Sequence, residues 1–159
     1  MGSNILDRID RRILEILQEN SAISNQELAD MISLSPSPCL RRVKQLEKEG
    51  YIKKYAAILN PKKLGLNMKV FVMVTLDGHS EAKMEQFEKM VLGYPEIIQC
   101  HLLTGQSAQY MLEIVVRDLD HYQDVLFKKL SSSMIKNIES TFVLRSSSEK
   151  QVLPLENAI

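Results

Sequence analysis

Leu34-Ser35-Pro36-Ser37-Pro38-Cys39-Leu40-Arg41-Arg42-Val43 decides how the first half of this 159-residue chain is read. Ser35 is a natural N-cap residue, and Pro36 follows at the first helical position, where its missing N–H costs nothing. Pro38 still lies inside the first turn, whose N–H groups lack intrahelical partners in any case. A helix is therefore predicted from Pro36 to Glu49, stopped by Gly50. Leu40, Val43 and Leu46 form its apolar stripe, while Ser37, Arg41, Lys44 and Lys48 recur at helical spacing on another face.

Two further helices precede it. Ser24 followed by Glu27 is a capping box opening a short helix with Leu28, Met31 and Ile32 on its apolar side, ending near Ser33. Leu6, Ile9, Ile13 and Leu17 mark an amphipathic helix from about Leu6 to Glu19, broken by Asn20-Ser21-Ala22. Three helices joined by such tight turns predict a helix-turn-helix domain over 4–60, with its motif at about 25–44. The physical expectation is DNA binding. The third helix would enter the major groove with Ser37, Pro38, Arg41 and Arg42 nearest the base edges and Ser35 at its entrance. Arg is the side chain whose fork reads guanine O6 and N7 together. Lys44 and Lys48 are better placed for phosphates, and Asn25 and Gln26 add backbone contacts from the second helix's start.

Tyr51 to Leu59 reads as one or two short strands beside the reading helix, a wing, with Lys53 and Lys54 positioned for phosphate. Asn60-Pro61 ends it, and 61–67, holding Gly65, reads as a linker. The second domain, 68–159, alternates. Strands are predicted at Lys69 to Leu76, Ile97 to Leu103, Tyr110 to Val116 and Ile138 to Leu144. One helix starts at Ser80 and carries Met84, Phe87, Met90 and Val91. Another opens at Asp118 or Asp120 and carries Tyr122, Val125, Leu126 and Leu130. The order βαββαβ is that of a ferredoxin-like domain, so the fold class is α+β. Such a sheet leaves one face free to pair with a second subunit. RNA-binding domains share the order but display aromatics for base stacking, whereas the second and third strands here offer Cys100, His101, Leu103, Met111, Glu113 and Val115.

Charge supports the division. The formal net charge is +0, yet residues up to Lys63 hold 11 Lys/Arg against 8 Asp/Glu, and the remainder 9 against 12. A local basic surface is what phosphate contact requires, and the whole-chain balance conceals it. No stretch approaches the roughly 18 uninterrupted apolar residues of a membrane span, and no secretory signal pattern precedes the first helix. Cys39 and Cys100 lie in different predicted domains without metal-ligand spacing, which fits a reducing cytoplasm. His79, His101 and His121 are scattered, so no metal site is expected. With no nucleophile elbow, phosphate loop or metalloprotease motif, no catalytic residues and no enzymatic activity are expected either.

The chain resembles the Lrp/AsnC (leucine-responsive, feast-or-famine) regulators. The matching runs are Leu6-Asp7-Arg8-Ile9-Asp10, Ser24-Asn25-Gln26-Glu27-Leu28, the stretch Leu34–Val43 quoted above, Gly50-Tyr51-Ile52, Leu59-Asn60-Pro61, Glu96–His101 and Thr104-Gly105. The resemblance implies a dimer, assembling to an octamer or higher even oligomer on double-stranded DNA, in the cytoplasm with the nucleoid. It implies an ACT-like effector domain that takes an amino acid and no other cofactor. It places the effector around Leu103, Thr104, Gly105, Gln106, Ser107, Gln109, Tyr110 and Thr141. One departure stands out: the loop is one residue longer than the family's, and Gln109 stands where the family has Asp. A neutral amide is a weaker partner for an ammonium group than a carboxylate. Besides a metabolite-tuned regulator, two readings stay open: an architectural DNA-binding protein without effector, and a ligand-binding subunit acting through protein partners.

Overall fold

The computed structural model describes residues 6–78, 80–104, 109–148 and 152–155. The chain divides into two compact units: residues up to Ile58 together with those from Ser148 onward, and Leu59–Ser147.

In the helical unit, α1 (Arg8–Glu19), α2 (Asn25–Met31) and α3 (Pro36–Lys48) pack around Ile13, Ile16, Leu28, Ala29, Cys39 and Leu46. Local chemistry sets each start. Asp7 caps α1 through a reciprocal box, its carboxylate accepting the Asp10 N–H at 2.8 Å while the Asp10 carboxylate accepts the Asp7 N–H at 3.3 Å. Ser24 and Glu27 form the predicted box at α2. Between α2 and α3 the chain reverses through Ser33 at φ 57, and the Leu34 N–H returns to the Ala29 carbonyl at 2.9 Å. Ser35 occupies the N-cap of α3 with no side-chain cap bond, so the pre-set φ of Pro36 does more there than the serine oxygen. Gly50 closes α3 at φ 80, a left-handed conformation that costs a residue with a Cβ.

Two expectations are corrected here. The buried stripe of α3 runs through Cys39, Val43 and Leu46, and Leu40 is exposed. Residues 51–60 form no strand. They are β-rich and almost entirely exposed, and a strand needs a neighbouring strand to pair with, of which none adjoins this segment among the described residues.

The second unit is a four-stranded antiparallel sheet in the order β2-β3-β1-β4, with β1 (Met68–Leu76), β2 (Ile97–Leu103), β3 (Gln109–Val116) and β4 (Ile135–Phe142). A short 3-10 turn, Lys62–Leu64, precedes it. Helices α4 (Glu81–Leu92) and α5 (Leu119–Asp124), the latter continued by a π-turn over Val125–Lys129, cover one face. Alternation along the central strands sends Val70, Val72, Val74 and Leu76 and Tyr110, Leu112, Ile114 and Val116 into the core against Phe87, Val91, Tyr122 and Val125. The other face carries Phe71, Met73, Met111 and Val115 with the Lys69–Glu113 ion pair at 3.0 Å, all half-buried. Strand β4 starts at Ile135 rather than Ile138, because Asn137 and Ile135 still find partners in Thr75 and Leu76 across a register irregularity.

Candidate nucleic-acid interface and effector face

The first predicted site is a face of α3. Ser37, Arg41, Lys44 and Lys48 are all exposed on it, and none of the three cations takes part in an ion pair among the described residues. Pro38 is half-buried, and Ser35 is exposed at the helix start. Arg42 is placed otherwise. Its guanidinium turns toward α1 and bonds Asp7 Oδ2 at 2.6 Å and Asp10 Oδ1 at 2.8 Å, with its side chain 31 % exposed. Hydrogen bonds to Asp10 and Asp7 push the Arg42 pKa up. Burial acts to raise that of Asp7, but the Asp10 N–H and Arg42 outweigh it and hold the carboxyl below the usual range. This clamp joins the start of α1 to α3 and was not legible from periodicity.

The neighbouring groups are partly committed. The Asn25 amide donates to the Pro36 carbonyl at 2.9 Å, fixing the α2–α3 angle, and Gln26 donates to Asp30 at 3.1 Å along its own helix. Lys53 and Lys54 are exposed beyond α3. Close by, the Tyr55 hydroxyl donates to Glu47 at 2.8 Å; burial and that carboxylate push its pKa up to about 12.

Gly105, Gln106 and Ser107 lie outside the described residues. Leu103 ends β2 directly opposite Gln109, which opens β3 opposite Thr75, and all three are half-buried on the uncovered sheet face. Thr104 follows Leu103. Tyr110 points the other way: it is 1 % exposed, its ring 4.7 Å from Phe87 and its hydroxyl donating to Glu88 at 2.8 Å. Thr141 shares the open face but pairs with Phe71, four residues along β1 from Thr75, a separation of about 13 Å. Within one chain, then, Leu103 and Gln109 come together, whereas Tyr110 and Thr141 do not join them.

Another cluster was missed in the sequence. Glu96, just before β2, accepts from the Lys129 ammonium at 2.7 Å through both oxygens and lies 3.3 Å from His121 Nε2. Burial opposes its charge, but Lys129, the backbone and His121 together hold its pKa low. The π-turn delivers Lys129 to this position, and no spacing rule announces such a turn. Among the described residues there is no group of His, Cys, Asp and Glu able to hold a metal ion. No described helix is long and apolar enough to cross a membrane.

Three short helices presenting a basic face without ion pairs among the described residues, followed by a βαββαβ sheet unit, define a helix-turn-helix regulator with an appended ligand domain. Residues 6–53 match the winged helix-turn-helix DNA-binding model, and residues 69–153 match the Lrp/AsnC ligand binding domain. The leucine-responsive regulatory proteins of Escherichia coli K12 and Klebsiella pneumoniae are each 42 % identical over 139 residues, 87 % of this chain and 84 % of theirs. A Neisseria meningitidis transcriptional regulator solved as an L-Met complex superposes with a TM-score of 0.91 at 35 % identity, covering 97 % of this chain and 99 % of that one. An AsnC family regulator from Agrobacterium tumefaciens gives 0.90 at 31 %, covering 96 % and 99 %. The chain belongs to the Lrp/AsnC family and is a DNA-binding, effector-modulated transcriptional regulator.

Proposed function

We propose that Ser37, Arg41, Lys44 and Lys48 form the DNA-reading surface, with Arg41 on base edges and the lysines on phosphates. Ser35, Pro38, Asn25, Gln26, Lys53 and Lys54 flank it, and Arg42 holds the reading helix in place. The carrying observation is the exposed face of α3, whose cations make no ion pair among the described residues while the adjacent Arg42 turns one guanidinium nitrogen to two carboxylates of the first helical segment. Cations without an ion pair among the described residues give up no carboxylate when they turn to phosphate, whereas Arg42 would have to abandon two.

On this reading 4–60 is the DNA-binding domain, 61–67 the linker and 68–159 the effector and assembly domain, whose residues from Ser148 onward group with the helical unit. The chain acts in the cytoplasm, catalyses nothing and needs no metal. Copies pair through the open sheet face, where Phe71, Met73, Met111 and Val115 are only half-covered in one chain, and assemble as an even-numbered oligomer. The effector is an amino acid held near Leu103, Thr104 and Gln109, with Gly105, Gln106 and Ser107 completing the loop. Tyr110 supports that corner from behind, and Thr141 takes part only across a subunit contact. The complex of the meningococcal relative with L-Met supports this ligand class.

The test is binding to a duplex selected from random sequence, at fixed salt, with each of the twenty amino acids in turn and particle size followed by light scattering. Specific binding that shifts with one or a few amino acids is expected. Specific binding indifferent to all of them would favour the architectural reading. Gln109→Asp is expected to tighten the amino acid several-fold in calorimetry, since a carboxylate restores a charge-assisted bond to the ammonium.

A further inference from the structure

Both stretches of the helical unit, early and late in the chain, meet at one side chain. The Gln18 amide donates to the Leu153 carbonyl at 3.1 Å and accepts the Leu153 N–H at 2.8 Å. One primary amide thus satisfies both main-chain groups of a single residue, as a neighbouring strand would. Pro154 pre-extends Leu153, since the residue before a proline is driven to β or polyproline geometry. Leu155 is half-buried and, with Leu14, Leu17, Tyr51 and Ile52, lines a cleft of about 510 Å³. The Leu153 side chain itself is 70 % exposed, so the grip is on backbone rather than on a deep apolar anchor.

A seat of this kind is reversible. Each hydrogen bond of net protein-for-water exchange shifts docking by roughly two- to tenfold, and Gln18 makes two with Leu153. We infer that Val152–Leu155 is a releasable strap, a peptide ligand carried by the chain itself, whose seat on α1 gives the DNA-reading unit a second tie to the sheet unit. The chain leaves the helical unit at Ile58 and returns to it at Ser148. With the strap seated two stretches of chain restrain that unit, and with it released only one does. A dimer engaging two half-sites makes its second contact at an effective concentration set by its tethers, so the strap acts on paired half-sites and not on single ones.

The inference rests on the DNA-reading assignment above, and its test separates the two. In the full chain, Gln18→Ala removes both bonds, and Leu155→Asp independently expels the apolar contact. Deuterium exchange of the Leu153 amide reads docking; affinity is read on a selected duplex with two half-sites and on the same duplex with one scrambled. Both variants are expected to lose about tenfold in Leu153 protection. They should lose about tenfold in affinity on two half-sites and less than about twofold on one. Lost protection with unchanged two-site affinity overturns the strap, as does an equal loss on both duplexes accompanied by earlier exchange of α1 and α3 amides. An unprotected Leu153 in the parent chain overturns it as well. A parent chain with protected Leu153 that binds neither duplex specifically overturns the DNA-reading assignment, and the strap's role with it.

Discussion

Arg42→Ala separates a structural arginine from a reading one. The guanidinium is held by two short ion pairs, to Asp7 at 2.6 Å and Asp10 at 2.8 Å. Exposed pairs are worth about 0–1 kcal/mol each, and the 47 % exposure of Asp7 keeps its contribution at the low end. Asp10, at 19 %, is better shielded, so its pair with Arg42 lies at or somewhat above the upper end of that range. The loss is therefore about 1–2 kcal/mol. For a unit of this size that corresponds to a melting shift of roughly 5–15 °C. Calorimetry measures it, with the transition assigned to the helical unit by hydrogen exchange of α1 and α3. The pH dependence has a definite sign. Asp7 is depressed in the folded state, so its contribution is complete above the ordinary carboxyl range and is lost as pH falls through the lowered value. The gap between parent and variant should stay constant near neutrality and close below about pH 4. DNA binding at low temperature, where both are folded, should keep its salt slope. An unchanged melting curve together with a salt slope reduced by about one would refute the clamp and return Arg42 to the phosphates.

Arg41→Ala should leave the melting temperature alone and cost about 1–3 kcal/mol of discrimination at one base position, read by competition between operator variants. Lys48→Ala should weaken all sequences alike and reduce the log–log salt slope by about 0.9; an unaltered slope removes it from the phosphates. Leu112→Ala opens the fully buried centre of the sheet–helix core and should cost about 2–5 kcal/mol in urea unfolding, a loss below 0.5 kcal/mol being incompatible with that core. Lys129→Met strips Glu96 of its main partner, leaving burial to push the carboxyl up. Glu96 now stabilises the fold above its ordinary range and loses that contribution only as pH falls through its lowered value, so the variant's acid unfolding, followed by circular dichroism, should begin at higher pH.

What was legible in the sequence was what is decided locally. The Ser24–Glu27 box, Pro36 at a helix start and Gly50 at a helix end each act within a turn, and each stands where expected. The alternation of β1 and β3 was legible because one face of each is fully buried. Edge strands carry a weaker record: the Lys136-Asn137 pair concealed the start of β4, which only pairing to Thr75 and Leu76 reveals. Residues 51–60, nearly all exposed, erred in the opposite sense, with strand-forming side chains but no ladder among the described residues. Periodicity put Arg42 on α3 but said nothing of the carboxylates 32 and 35 positions away. Gln18 and Leu153, 135 positions apart, leave no local trace at all.

The late return of Leu153 to α1 also imposes an order on synthesis. The first two helices carry their own side-chain caps, the third its starting proline, and all three share one core, so they can fold while the sheet is still being made. At about 5–20 residues per second, the stretch from Ile58 to Leu153 occupies the ribosome for roughly 5–20 s. Through that interval the Gln18 amide is satisfied by water, and the cleft beside Leu14, Leu17 and Ile52 lacks the leucine that later completes its wall. A nascent helical unit is thus stickier than the finished one, and its last contact forms only once the sheet has left the ribosome.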